Sequence, residues 1–165
     1  MFQPDIAGNV GTVLRTAACF GVGVDLIEPM GFAWGARALA RAGMDYLDHV
    51  AIRRHVDWAA FEAQVSGRIV LLTTVGATPL PNARFAANDV LLLGSESAGV
   101  PPAVHARADA SVCVPMRSGL RSLNVAIAGA LVLGEALRQL GWPGTDTGTG
   151  PGVDKASPFA PGPGC

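Results

Sequence analysis

The sequence predicts an α/β domain with an open, mainly parallel sheet, and two observations carry that prediction. Short apolar runs alternate along the chain with segments of helical periodicity, which is typical of parallel strands joined by crossover helices. One apolar run, Val90–Leu93, stops at Gly94 and is followed by a polar loop, Gly99 and a double proline. A strand that ends in glycines is the usual layout of a ligand site at the carboxyl edge of such a sheet.

The N-terminal half is expected to supply three short strands. Residues 1–3 form a very short opening strand, and Asn9 then provides a good N-cap for a helix that Gly21 ends. The other elements predicted in this half are strands over 22–27 and 50–52, a loop over 28–34 and helices over 37–41 and 57–64. A basic run, residues 53–55, directly follows the third strand.

The C-terminal half is expected to supply the site and the longest helix. The elements predicted here are strands over 68–74, 90–93 and 111–114, a loop over 74–88 and helices over 101–107 and 124–140. The last helix is apolar on nearly every face, and only Glu135, Arg138 and Gln139 interrupt the pattern. A helix that is apolar all round is buried on all sides. Since a domain this small rarely achieves that alone, one face is expected to meet a second subunit.

Composition separates a domain over residues 1–142 from a tail over 143–165. The chain of 165 residues suits one domain with one core. The tail is rich in glycine and proline and lacks periodicity, so it is predicted to be disordered. Hydrophobic residues make up 50% of the chain and charged residues only 15%, which again favours some apolar surface against a partner subunit.

The localisation and the metal content of the protein are predicted from features that the sequence lacks. No apolar run approaches the about 18 residues that span a membrane, and no charged-then-apolar leader is present. The three cysteines are far apart and form neither a disulfide framework nor a zinc spacing. The sequence therefore predicts a cytoplasmic protein without a metal site.

The net charge of −1 gives no global basic footprint, which counts against a high-affinity, non-specific nucleic-acid binder. A local basic patch remains conceivable, and arginine suits phosphates and base stacking. Its candidate members are Arg15, Arg37, Arg41, Arg53, Arg54, Arg117 and Arg121. For any single one of them, a solvated surface charge is the simpler interpretation.

Three common site types do not fit the glycine loop. Residues 94–99 are not a Gly-x-Ser-x-Gly hydrolase turn. No Gly-Lys-Ser/Thr follows the glycines as in a P-loop. Gly21 and Gly23 precede a strand and lack the third glycine of a dinucleotide fingerprint.

Three blocks, in this order, resemble the SPOUT superfamily of knotted methyltransferases. They are Asn-Val-Gly-Thr-Val-Leu-Arg at 9–15, Leu-Leu-Leu-Gly-Ser-Glu-Ser-Ala-Gly-Val-Pro-Pro at 91–102 and Pro-Met-Arg-Ser-Gly-Leu-Arg-Ser-Leu-Asn at 115–124. Within the superfamily the chain is similar to the small tRNA ribose 2′-O-methyltransferases that modify the anticodon wobble nucleotide. The similarity runs from residue 2 to about 144 and includes the sequence segments 27–34 and 41–46.

The resemblance implies a Rossmann-like sheet with a deep trefoil knot in its C-terminal half, the SPOUT fold. The last helix is then threaded through the loop that follows Leu93. Periodicity alone would never propose a knot, because true knots are so uncommon. In the resembled family the first strand carries several more apolar residues, so here it is expected to be shortened and its neighbours under-paired.

The resemblance also implies S-adenosylmethionine as methyl donor, held by three loops without a metal. The implied cofactor contacts are Leu72, Thr73, Gly94, Glu96, Gly99, Val114, Met116, Ser122 and Leu123. The implied catalytic or substrate-orienting residues are Asn9, Arg15, Glu96, Ser122 and Asn124. From the residues alone, blander roles stay open: capping for Asn9, Ser122 and Asn124, a cap or ion pair for Glu96, and a surface charge for Arg15.

Arg15 is expected to be essential, with its chemical role open. In related enzymes it has been interpreted as the base that removes the hydroxyl proton. A guanidinium pKa above about 12 makes that role difficult. An oriented cation that stabilises the developing alkoxide is easier to defend.

The function implied by the resemblance is 2′-O-methylation of the wobble cytidine or modified uridine of tRNA, with leucine tRNAs as the implied substrates. The implied partners are the tRNA anticodon stem-loop and a second copy of the chain, docked through the last helix at 124–140. The first alternative is an enzyme of the same fold that acts on another tRNA or rRNA site. The second is a non-catalytic RNA-binding protein on that fold.

Overall fold

The computed structural model describes residues 1–35 and 44–143. The predicted helix over 37–41 and the tail from residue 144 onward lie outside the described residues. The described helices are α1 (Ala7–Phe20), α2 (Trp58–Glu62), α3 (Pro102–Arg107) and α4 (Val125–Leu140), with 3-10 turns at Met44–His49 and Leu80–Asn82. The described strands are β1 (Val24–Ile27), β2 (Ile52–His55), β3 (Ile69–Leu72), β4 (Thr78–Pro79), β5 (Val90–Leu93) and β6 (Ala110–Cys113).

The described strands pair in parallel, as predicted. One sheet joins β1 to β2, and the other has the order β4-β6-β3-β5. Phe2 lies between the two sheets, because it bridges to Ile27 in parallel and its N–H donates to the Leu93 carbonyl at 2.7 Å. The order across the molecule is therefore β2-β1-Phe2-β5-β3-β6-β4. The very short opening strand is reduced to this single bridge.

Helices cover both faces of the sheet. On one face α1 and α4 pack against the strands, and their buried residues include Leu14 and Val132. On the other face α2 and α3 pack through Phe61 and Val104. Side chains of β3 alternate between the two faces, since Val70 belongs to the α4 side and neighbouring strand residues to the α2 side. Strands buried on both faces explain the continuous apolar runs in the sequence.

Helix α1 begins earlier than the sequence suggested. It starts at Ala7, and Ile6 in the N-cap position makes no side-chain cap bond. The predicted capping role of Asn9 is therefore wrong, because Asn9 lies inside the first turn. Its side chain is free to bond to other segments. The predicted end of this helix is confirmed by Gly21, which adopts a φ of 63°.

Strand β2 also lies later than predicted, at Ile52–His55 rather than 50–52. The basic run 53–55 is consequently part of the strand. Arg53 stands opposite Asp25 of β1 and forms an ion pair with it at 2.9 Å. Such cross-strand charge pairs stabilise a sheet edge, which an apolarity pattern does not detect. The same limit hid β4, which holds two residues in the predicted loop 74–88.

Helix α4 leaves one apolar face uncovered within a single chain. Ala126, Val132 and Ala136 are buried, whereas Ile127 is 49% exposed and Leu131 is 47% exposed. Burial on all sides is therefore wrong for the isolated chain. Among the described residues, no helix is both long enough and apolar enough to cross a membrane.

Candidate active site

A cavity of about 420 Å³ lies at the carboxyl ends of β3, β5 and β6. Its volume falls in the range of small-molecule sites, about 300–1,000 Å³. Three loops line it, because these parallel strands all end at the same edge of the sheet. Each of the nine predicted cofactor residues contributes to its wall: Leu72, Thr73, Gly94, Glu96, Gly99, Val114, Met116, Ser122 and Leu123. The structure thus brings together residues from three separate segments of the chain.

The loop from Gly94 to Gly99 is a tight hairpin. Ser95 and Gly99 exchange two backbone hydrogen bonds, each 2.9 Å long. A Cβ atom at Gly94 would lie 2.7 Å from the carbonyl carbon of Gly99, and Gly99 itself has a φ of 67°. Both positions therefore require glycine. The glycines were expected to let the backbone approach a ligand, and the structure shows that they first let the loop close on itself.

A chain of hydrogen bonds runs along the cavity from Glu96 through Asn9 to Asn124. The Asn9 Nδ2 donates to Glu96 Oε1 at 2.8 Å. The Asn9 Oδ1 accepts from Asn124 Nδ2, also at 2.8 Å. Asn124 Oδ1 in turn accepts from the backbone N–H of Ala126 at 2.9 Å and of Ile127 at 3.3 Å. Each amide orientation follows from its neighbours, because a carboxylate only accepts and a helix N-terminus only donates.

Asn124 therefore caps α4 and joins the site at the same time. The structure confirms the capping role of Asn124, which was one of the roles that the residues alone left open. Its Nδ2 remains available for Asn9, so the two roles do not compete. Ser122 and Leu123 precede it on the exposed rim of the cavity. The first turn of α4 is thus fixed against the N-terminal segment of the chain.

Asp5 is a residue of the site that sequence reasoning missed. Its backbone N–H donates to Glu96 Oε2 at 2.7 Å, which occupies the second oxygen of that carboxylate. Its own carboxylate accepts from the Ser97 hydroxyl at 2.6 Å and from the Ser97 N–H at 2.9 Å. These bonds from Ser97 lower the pKa of Asp5. The only sequence signal was an acidic residue directly after Pro4, in a segment where the chain had to turn.

Arg15 does not reach the cavity of its own chain. It lies six residues beyond Asn9 on α1, a distance of about 9 Å along the helix axis, and it does not belong to the cavity wall. The side chain is exposed, and its guanidinium carbon stacks over the ring of Tyr46, 4.7 Å from the ring centre. Of the five residues predicted to act on the substrate, it is the one that the fold keeps apart.

The basic residues divide into paired and unpaired ones. Arg53 pairs with Asp25, and Arg54 pairs with Glu28 and stacks over Trp34. Within the described residues, Arg117 and Arg121 take part in no ion pair, and both are exposed on the loop that leads to Ser122. Arg37 and Arg41 lie outside the described residues. The free positive charge beside the cavity therefore comes from residues 117 and 121.

The wall of the cavity suits an adenosyl group with a cationic sulfur. Leu72, Val114, Met116 and Leu123 give apolar surface for a flat ring. Backbone groups at the strand ends can recognise the ring edges, and the Glu96 carboxylate supplies the one acidic group of the wall. In the described ranges, no three His, Cys, Asp or Glu side chains lie together so as to hold a metal ion.

A sequence model described as the SpoU rRNA Methylase family matches residues 1–134. The chain belongs to the SpoU methylase family. A relative from Beijerinckia indica subsp. indica, named tRNA (cytidine(34)-2'-O)-methyltransferase, is 55% identical over 144 residues, which are 86% of this chain and 90% of the relative.

Two solved structures are similar to this chain in fold and sequence. One structure, described as "Structural insights into the 2-OH methylation of C/U34 on tRNA", is 42% identical with a TM-score of 0.80, and the match covers 84% of this chain and 92% of the other. The AdoMet-bound rRNA methyltransferase from Sinorhizobium meliloti is 29% identical with a TM-score of 0.72. That match covers 81% of this chain and 52% of the other, which therefore carries additional chain.

Proposed function

We propose that this SpoU methylase transfers a methyl group from S-adenosylmethionine to the ribose 2′-hydroxyl of nucleotide 34 in tRNA. The observation that carries the proposal is the hydrogen-bonded chain Glu96–Asn9–Asn124 on the wall of a cavity formed by all nine expected cofactor residues. The position in tRNA comes from the relatives, whose names specify cytidine 34 or C/U34.

The cofactor is proposed to lie among Leu72, Gly94, Val114, Met116 and Leu123. When bound, it supplies a methyl group on a sulfonium, which already carries its own leaving group. The chain therefore has to align the methyl donor with the ribose hydroxyl and assist the loss of the hydroxyl proton, and it does not have to supply a strong nucleophile. The closed hairpin at Gly94 and the capped start of α4 hold two walls of the cavity in place.

Asn9, Glu96, Ser122 and Asn124 are proposed to orient the ribose. Glu96 uses one oxygen for Asn9 and the other for the Asp5 N–H, so the carboxylate is fixed in direction. Ser122 lies exposed on the rim of the cavity, where its hydroxyl can bond to a ribose hydroxyl. Arg15, supplied by a second subunit as argued below, is proposed to act as a cation that stabilises the developing alkoxide while the hydroxyl proton passes to solvent water.

A dimer is proposed because the single chain leaves the site incomplete. The uncovered face of α4 continues into apolar residues near the cavity: Ile6 is 51% exposed, Leu120 65% and Leu123 40%. A second copy of the chain would cover this surface. It would also allow Arg15 of the partner subunit to reach the cavity that Arg15 does not reach in its own chain.

We further propose how the chain is divided, how its cavity loops are connected and which tRNAs it modifies. Residues 1–142 form the methyltransferase domain, and 143–165 form a tail without a core of its own. The three cavity loops are proposed to be tied in a trefoil knot, with α4 threaded behind the loop after Leu93. A Cβ added at Gly129 of α4 would lie 3.1 Å from Leu93 Cδ1, so α4 packs closely against β5 at this glycine. Leucine tRNAs in the cytoplasm are the proposed substrates.

The test is methyl transfer from labelled S-adenosylmethionine to total tRNA, with the modified nucleosides identified by mass spectrometry. The proposal expects a 2′-O-methylated pyrimidine that maps to nucleotide 34. Label in ribosomal RNA instead would show another target for the same chemistry. A protein that binds tRNA and cofactor but transfers no label would show a binding role in place of the enzyme.

A further inference from the structure

Arg54 lies over the ring of Trp34 at the outer edge of the sheet. Its guanidinium carbon is 5.3 Å from the ring centre. Trp34 belongs to the loop after β1, and Arg54 belongs to β2, the strand at one end of the strand order. A guanidinium in this position makes a cation–π contact and covers one face of the indole. These two residues are called the arginine–tryptophan stack below.

Glu28 holds the guanidinium of the stack in place. Arg54 donates from Nε at 2.9 Å and from Nη2 at 2.5 Å to Oε1 of Glu28. Two bonds along one edge of the guanidinium fix its direction. The backbone N–H of Glu28 donates to the His55 carbonyl at 2.9 Å, so the acceptor is itself anchored to β2. The stack is therefore preorganised, and a carboxylate already balances its positive charge.

The stack remains accessible from solution. The Arg54 side chain is 43% exposed, and Val56, two residues further along the chain, is 76% exposed. A guanidinium plane has two faces, and Trp34 covers one of them. The bonds to Glu28 use Nε and Nη2 and leave Nη1 out. An accessible planar cation beside apolar surface is suited to stack on an unpaired nucleobase.

The preceding residue, Arg53, provides a contrast on the same strand. It is also exposed, and it pairs with Asp25 at 2.9 Å. Because successive residues of a strand alternate, it lies on the opposite face of the sheet from Arg54. Within the described part of the chain, Arg53 makes no cation–π contact. Arg53 is thus an ordinary charged residue of an edge strand, and Arg54 differs from it by the aromatic ring beneath its guanidinium.

The loop after β1 connects the stack to the proposed active site. The Gly31 N–H donates to the Pro4 carbonyl at 2.9 Å, and a Cβ at Gly31 would lie 2.8 Å from Asp5 Cα. Asp5 in turn donates its N–H to Glu96 on the cavity wall at 2.7 Å. Trp34 follows Gly31 by three residues, which span at most about 11 Å. The stack therefore lies within reach of the nucleotides that flank one bound at the cavity.

From these observations we infer that the arginine–tryptophan stack binds one unpaired nucleobase of RNA. The base lies on the outer face of Arg54. The RNA is a single-stranded loop, since only unstacked bases can be splayed out onto such a surface. Because Glu28 balances the charge of Arg54, base stacking supplies the affinity and phosphate attraction does not. The inference rests on the proposed function, to which it adds a surface that positions a nucleotide next to the target.

The test compares Arg54→Lys with the matched control Arg53→Lys in the full chain. Lysine keeps the charge and can keep the ion pair, but it has no planar face. The probe is an anticodon stem-loop RNA with cytidine at nucleotide 34. We expect Arg54→Lys to bind this RNA about tenfold more weakly than the wild type, and Arg53→Lys to bind it as the wild type does. The slope of log affinity against log salt should be equal in all three proteins, because no charge changes.

Two further readouts distinguish stacking from a structural role of Arg54. The KM for the stem-loop should rise about tenfold in Arg54→Lys while kcat and Tm stay unchanged, because a flanking base stacks equally in the ground state and the transition state. The second readout replaces each neighbour of nucleotide 34 in turn by 2-aminopurine, whose fluorescence is quenched by stacking. At one of these positions, saturating wild-type protein should quench the fluorescence and saturating Arg54→Lys should not.

Equal affinity of the two lysine variants for the stem-loop would overturn the inference. It would also be overturned if the wild type quenched 2-aminopurine at neither position, or if Arg54→Lys quenched it as the wild type does. A wild type that binds the stem-loop without methylating it would contradict the proposed function alone, because the affinities of the two variants still test the stack. A wild type that does not bind the stem-loop would contradict both.

Discussion

Asn9 and Glu96 are joined by a hydrogen bond of 2.8 Å, although 87 positions separate them in the sequence. The bond ties the first turn of α1 to the glycine hairpin after β5. Asn9 extends the connection to Asn124, and Asn124 caps the helix that bears the apolar dimer face proposed above. The cofactor loops, the N-terminal segment and the start of α4 are therefore fixed by one polar chain, so a single side chain can be tested for all three.

Replacement of Asn9 by alanine is expected to reduce the rate of methyl transfer about 100-fold, which corresponds to an increase of about 2.7 kcal/mol in the activation free energy. The variant leaves Glu96 with one donor fewer and the Asn124 Nδ2 without its acceptor. The free energy of unfolding should fall by only about 1–3 kcal/mol. Steady-state kinetics and denaturant unfolding measure the two quantities. Asn82→Ala is the matched control, because Asn82 is exposed and distant from the cavity, and its activity should equal that of the wild type. Asn9→Ala with wild-type activity would remove Asn9 from the site.

Gly94→Ala is expected to weaken cofactor binding strongly. The new Cβ would lie within 2.9 Å of three backbone atoms of Gly99, and backbone cannot move aside as a side chain can. The hairpin would have to open, and the cavity wall would open with it. Calorimetry with S-adenosylmethionine should show an affinity at least about tenfold weaker, equal to 1.4 kcal/mol.

Gly8→Ala provides the control for that experiment. No atom lies within 4 Å of the added methyl group, and Gly8 is in the first turn of α1. This variant should bind the cofactor normally and unfold at a slightly higher temperature. If Gly94→Ala bound the cofactor as well as Gly8→Ala does, the hairpin would not be part of the cofactor site.

Arg15→Ala is expected to lose methyl transfer and to keep cofactor binding within a few fold, because Arg15 lies outside the cavity wall of its own chain. A mixed dimer tests whether Arg15 serves the other subunit. One chain carries Arg15→Ala and the other Gly94→Ala, so each homodimer is inactive. If Arg15 acts across the interface, the mixed dimer has one complete site and recovers about half of the wild-type activity. A mixed dimer as inactive as its parents would place Arg15 in the site of its own chain.

The paired variant Arg117→Ala with Arg121→Ala is expected to weaken tRNA binding and leave cofactor binding unchanged. Both side chains are exposed beside the cavity, where they are suited to contact phosphates. Removal of two such contacts should reduce the slope of log affinity against log salt by about one unit each. Arg107→Ala is the matched control, since Arg107 already pairs with Glu62 at 2.7 Å on the opposite face. An unchanged salt slope in the double variant would mean that tRNA binds elsewhere.

Apolar pattern was enough to predict the parallel sheet and most of its strands and helices. Val90–Leu93 was predicted with its observed bounds, because four apolar residues bounded by turn residues admit little else. Strand β2 was displaced because its residues 53–55 are basic and do not read as an apolar run. Arg53 and the buried His55 pair with Asp25 of β1, and Arg54 pairs with Glu28 directly after β1. The start of α1 was displaced because Asn9 is a good cap by type. Its side chain has a stronger partner in Glu96, which the local sequence does not reveal.

The residues of the cavity wall could be named from three motifs, but their connections could not. The Asp5 bonds to Glu96 and Ser97 span more than 90 positions, and no spacing rule joins two loops across such a distance. The position of Arg15 was hidden for a related reason. Helical spacing from Asn9 fixes where it lies on α1, but only the fold shows that the cavity opens toward Asn9 and away from residue 15.

The most direct test of the central claim uses two leucine tRNA transcripts that differ only at nucleotide 34. One carries cytidine there, and the other carries 2′-deoxycytidine, which lacks the hydroxyl that would accept the methyl group. With labelled S-adenosylmethionine, we expect label in the first transcript and none in the second, while both bind the protein equally. Equal labelling of the two transcripts, or label in neither while the cofactor binds, would contradict it.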